Sequence, residues 1–137
     1  MGHIHRYYIS EVLETVCTAM SAISGHVFSE HRPMATNKQM EDFIVVSLPT
    51  TIDDQNAYQK TTLRIELAAK DKATGISDTV RLQEMLNQLA GMFPIVERRF
   101  SAISPRIVLK GSDGLGFTIW NVQAVLIINT TDSYTKI

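Results

Sequence analysis

Between Thr61 and Lys70 the chain alternates. Leu63, Ile65, Leu67 and Ala69 fall on one face, and Thr62, Arg64, Glu66 and Lys70 on the other. A period of two belongs to a strand with one side on a core and one side in water. Wound as a helix, the same residues would scatter, with Arg64 and Glu66 about 200° apart. The pattern predicts a strand here, at the centre of an antiparallel sheet.

The neighbouring segments are read by how they would cover that strand. From about Tyr8 to His26 the period changes: Ile9, Val12, Leu13, Val16, Met20, Ile23 and Val27 step by three or four, the stripe of an amphipathic helix, with Gly25 as a stop signal. Residues 31–41 contain Pro33 and no period, and read as a connecting loop. The β-branched run from Phe43 to Leu48 reads as a strand ended by Pro49. From Thr50 to Gln59 the chain is polar, and the expected structure is a long hairpin projecting as an arm. After Lys70 a loop leads to Ser77 or Asp78 as a helix N-cap. Leu82, Met85, Leu86, Leu89 and Phe93 then form the stripe of a second helix, closed by Pro94. Arg106 to Lys110 reads as a third strand, Gly111 to Gly116 as a turn, and Phe117 to Asn129 as a fourth and longest strand. Residues 130–137 are a polar tail.

The expected fold is therefore one α+β domain over residues 1–137, two-layered, in the order α-β-β-α-β-β. Its antiparallel four-stranded sheet would carry the helices on one face.

Composition adds limits. A chain of 137 residues that is 45% hydrophobic and 20% charged is long enough for a single real core. A formal net charge of −1 argues against a basic nucleic-acid binder, and no sequence-specific nucleic-acid contact is expected. No apolar run reaches the roughly 20 residues of a membrane span, and the N-terminus lacks the apolar stretch of a secretory signal. A lone cysteine, Cys17, excludes an internal disulfide and reads as a packed residue in a reducing compartment.

Candidate chemistry is thin. His26, Glu30 and His31 are metal-ligating types, but His-Glu-x-x-His spacing is absent and the adjacent pair diverges; His3 and His5 sit near the terminus. The glycine cluster 111–116 lacks a following Lys-Ser/Thr and leads into a strand, so it reads as a hairpin turn rather than a phosphate cradle. No Gly-x-Ser-x-Gly occurs, and Asp53 and Asp54 read as solvated loop acids as readily as an acid–base pair. The expectation is a protein that is not an enzyme and holds no cofactor or metal. The residues singled out are interface candidates: Asp53, Asp54, Gln55, Asn56 and Tyr58 on the arm, and Trp120 on the last strand. Trp120 has two readings, a core aromatic or an anchor in a subunit interface, where Trp is enriched.

An N-terminal amphipathic helix is followed by the Phe43–Leu48 run, a variable arm and Leu63-Arg-Ile-Glu-Leu. A helix from Val80 to Phe93 and a closing strand pair ending in Val122 to Ile128 complete a pattern that resembles the tail-terminator and tail-completion (neck) proteins of long-tailed bacteriophages. The likeness covers nearly the whole chain and rests on pattern, so no functional residue is carried over. It implies a structural protein of a phage or prophage tail, self-assembling as a ring homo-oligomer such as a hexamer at the neck end of the tail tube. Its partners would be other tail or head–tail connector proteins, and its location the cytoplasm during assembly and then the virion tail. The alternative is a small bacterial α+β domain that binds a ligand or partner without catalysis, which would require a concave apolar pocket between helices and sheet.

Overall fold

The computed structural model describes residues 7–32, 40–55 and 58–129. In chain order it contains α1 (Ile9–Met20), β1 (Val27–Ser29), β2 (Asp42–Ser47), β3 (Asp53–Asp54), β4 (Tyr58–Lys70), α2 (Thr79–Ala90), β5 (Ile95–Val96), β6 (Phe100–Ser112) and β7 (Phe117–Asn129). The strands form one sheet in the order β1-β2-β4-β7-β6-β5, with β3 paired to β4. It curls as a half-barrel.

This corrects the expected four-stranded antiparallel sheet. The sheet has seven strands and is mixed, because β1 runs parallel to β2 while all other pairs are antiparallel. The three unexpected strands are two or three residues long, too short to carry a period, and backbone pairing alone defines them. Val27 belongs to β1 rather than to the helix. The chain leaves α1 at Ser21, turns through the Ile23 N–H to Met20 carbonyl bond (2.8 Å), and enters β1 after Gly25.

β4 is central, as its alternation requires. It lies between β2 and β7 and pairs along its whole length with β7, from Tyr58↔Asn129 to Lys70↔Phe117. Leu63, Ile65, Leu67 and Ala69 are fully buried on the helix-bearing face. They meet Val12, Val16 and Met20 of α1, Leu82, Met85 and Leu89 of α2, and Val122, Ala124, Leu126 and Ile128 of β7 in one core. The apolar stripes of both helices are thus buried where a 3.6-residue period puts them. Asp78 caps α2: its Oδ1 accepts from the Arg81 N–H at 3.2 Å.

A second, smaller core lies on the other face. Phe43, Val45, Ala68, Phe117 and Ile119 pack there with Met40, and Phe28 and Phe117 approach Phe43 edge-on at 6.2 and 5.0 Å. The Arg32 guanidinium covers this cluster, 4.6 Å from the Phe43 ring centre and 5.7 Å from that of Phe117.

One polar clamp ties the elements together at the helix ends. Arg81 donates from Nε to Asp42 Oδ2 and from Nη2 to the Ile23 carbonyl, both at 2.9 Å, while Ser24 Oγ donates to the other Asp42 oxygen. It joins the end of α1, the start of β2 and the first turn of α2.

Candidate functional site

Part of the predicted arm pairs with β4. Asp53 and Asp54 pair with Lys60 and Gln59 of β4, and the Gln55 N–H donates to the Tyr58 carbonyl at 2.8 Å. Its polar composition hid this, because a backbone ladder needs no apolar residue. Gln59, read as part of the arm, is fully buried on the core face opposite Ile128. Asp53, Asp54 and Gln55 remain exposed, Tyr58 is half-exposed, and Asp54 accepts from the Tyr7 hydroxyl at 3.3 Å. Asn56 lies outside the described residues.

Trp120 does not join them. It stands nine residues along β7 from Asn129, the partner of Tyr58, about 30 Å away at the rise of a strand. It is half-buried and packs against the main core between Leu67 and Leu109. The five described candidates therefore fall into two places at opposite ends of the sheet.

The other candidates are equally dispersed. No three His, Cys, Asp or Glu side chains converge as a metal set among the described residues, and His3 and His5 lie outside them. The glycine cluster forms the β6–β7 turn, where Gly111, Gly114 and Gly116 take positive φ angles that a side chain would disfavour. Its amides are satisfied from within: Asp113 Oδ1 accepts from the N–H groups of Leu115 (2.7 Å) and Phe117 (3.0 Å), and its Oδ2 pairs with Arg32. Burial would raise the Asp113 carboxyl, but these donors and the guanidinium outweigh it and hold the group below its ordinary value. Half-buried Cys17 has a thiol pushed up by burial, which makes it a poorer nucleophile. No helix of the described residues is long and apolar enough to cross a membrane.

No family model matches the chain, and no curated protein matches it.

The most distinctive surface is one the sequence did not single out. β5 pairs with β6 only at Ser101 and Ala102, which among the described residues leaves the second half of β6 as an open edge. A bulge at Ser104 (φ 54°) and Pro105 separates the halves, between the Ile103 and Arg106 pairings. Beyond it Ile107, Val108 and Leu109 are 52, 41 and 65% exposed. The run Arg106-Ile-Val-Leu-Lys110 reads as a strand from composition, but whether anything covers it cannot be read from its residue types. A long apolar edge invites another strand to pair with it unless something blocks it.

At the opposite edge of the sheet, β1 borders a groove of about 510 Å3 lined by Leu13, Glu14 and Cys17 of α1 and by Val27, Ser29 and Glu30. A second hollow of about 390 Å3 continues it past Leu48 and Ile52 toward Arg64.

Proposed function

We propose that the protein is a self-assembling structural subunit of a phage or prophage tail, of the tail-terminator or tail-completion kind. The observation that carries this reading is the second half of β6, where three consecutive large apolar residues are exposed on a strand whose outer edge pairs with nothing among the described residues. Such an edge costs solubility in a free subunit, and burying it between subunits removes the cost. The pattern resemblance supports the tail assignment. In a ring each subunit presents two different patches, and the repeated contact closes on itself.

The test is the solution mass of the purified chain over a hundredfold range of concentration, with electron microscopy of the assembled fraction. The expected result is a mass rising from 15.3 kDa to a defined multiple, with particles of uniform ring shape. A mass that stays at 15.3 kDa at every concentration refutes self-assembly.

A second reading has its own observation. The α1–β1 groove is concave and partly apolar, as a ligand- or partner-binding domain requires. Saturable binding of a small molecule there by a monomeric chain would favour it.

A further inference from the structure

The open β6 edge and the α1–β1 edge stand at the same level of the sheet. Following the register across, Val27 pairs with Ile44, Ile44 with Leu67, Leu67 with Trp120, and Trp120 with Leu109. One row along, Phe28 leads through Val45, Glu66 and Asn121 to Val108. The next row leads from Ser29 through Val46, Ile65 and Val122 to Ile107. The three residues of β1 therefore lie in the same rows as the three exposed apolar residues of β6, four strand spacings away.

We infer that these two edges are the two halves of one interface: the second half of β6 of one copy adds to β1 of the next copy, antiparallel. The inference rests on the self-assembly reading above and specifies its contact.

Direction, face and charge all agree with this occupant. β1 and β6 run in opposite senses, since β1 is parallel to β2 and three antiparallel steps then lead to β6. A second copy moved across the sheet without being turned over, and rotated with its curl as ring closure requires, thus meets it antiparallel. Opposite residues share a face, so Ile107 and Leu109 stand on the same side as Val122 and Trp120, the helix-bearing side. After the shift they point into the groove between α1 and β1, where Leu13, Cys17 and Val27 offer apolar surface. Val108, on the other side, meets the row of half-buried Phe28.

The charges flanking each edge are opposite. Arg106 and Lys110 bracket the apolar run of β6, and both are exposed. Exposed Glu30, which follows β1, lines both hollows, and Glu14 lines the groove from α1. Beyond the Ile107–Ser29 row, Arg106 comes to the end of β1, where Glu30 (φ 72°) turns the chain out of the strand and presents its opposite charge. Two β6 edges pairing with each other about Val108 would instead set Arg106 against Lys110, like charges that oppose the contact.

The test is disulfide trapping in full-length chain carrying Cys17→Ser. In this background Ser29→Cys and Ile107→Cys together should give a ladder of covalent oligomers on oxidation, and each alone should give monomer. A covalent dimer from Val108→Cys alone would show two β6 edges paired and overturn the proposal. So would the absence of a ladder from a chain whose native form assembles, and self-assembly would then stand without this contact. Native chain that is monomeric at all concentrations overturns both. As a second arm, Glu30→Arg and Arg106→Glu should each raise the concentration for half-assembly about tenfold, and the double exchange should restore it. Apart from half-buried Cys17, where serine is nearly isosteric, these positions are exposed, so the variants fold. Exchange without restoration separates the two charges and refutes the register.

Discussion

Truncating Ile65 to alanine tests the central placement of β4. Ile65 is fully buried, paired with Val46 on one side and Val122 on the other, with Leu63 and Leu67 on the same face. The change removes three carbons, worth about 2.4 kcal/mol at 0.8 kcal/mol each in transfer alone. A rigid site flanked by two long strands relaxes little, so the remaining cavity brings the loss to about 3–4 kcal/mol, within the range seen for large aliphatic residues. Against a total stability of about 5–15 kcal/mol the variant still folds. With a urea slope of about 2 kcal/mol per molar, its midpoint should fall by about 1.5–2 M at unchanged slope. The neighbouring Arg64→Ala is the control. Arg64 Nε lies 3.3 Å from both Glu66 Oε2 and Ser47 Oγ on the opposite face, partly exposed to water. Such a pair contributes less than about 1 kcal/mol, so this midpoint should move by less than about 0.5 M. Urea melts followed by far-ultraviolet circular dichroism and by Trp120 fluorescence would measure both. Equal losses from the two variants would refute the assignment of inner and outer faces.

Two further outcomes follow from local geometry. Asp78→Ala removes the N-cap of α2 and should cost about 1 kcal/mol, read as a lowered thermal midpoint. For Asp113→Asn the sign follows from the carboxyl being held below its ordinary value of 3.8: its stabilising effect is present above that value and is lost as pH falls through the lower folded value. The variant should therefore be about 1 kcal/mol less stable than the native chain at pH 7, with the gap closing below about pH 4. A gap independent of pH would assign the effect to shape rather than charge.

Legibility followed the length and regularity of each pattern. β7 is bounded by Phe117 and Asn129 both by pattern and in the structure, because thirteen residues between a glycine turn and a polar tail leave little choice. α2 begins where Asp78 predicts. β6 was found only in its second half, since Ser104 and Pro105 interrupt the run and the bulge that accommodates them is a feature of pairing with β7. β1 was absorbed into the helix because Val27 lies four residues beyond Ile23, a spacing that fits a helix equally well. The edge at Ile107 to Leu109 was hidden for a different reason. Burial depends on what lies across a surface, and the residue types of a strand report only what that surface could accept. Polarity and length predict a hairpin between Thr50 and Gln59 but do not show that Asp53 and Asp54 pair with Lys60 and Gln59.

The Arg81 clamp bears on how the molecule opens. One guanidinium links positions 58 residues apart, and its Asp42 partner also holds Ser24. The end of α1 cannot fray without releasing the first turn of α2, although the two helices belong to different halves of the chain. Their amides should then exchange with solvent deuterium through one shared opening: Ile23, bonded to Met20, and Leu82, bonded to Asp78, should show the same protection and the same denaturant dependence. A chain assembled through its two outer edges would keep this seam as its internal unit of cooperativity, so that strain arriving at β1 from a neighbouring copy reaches α2 as well.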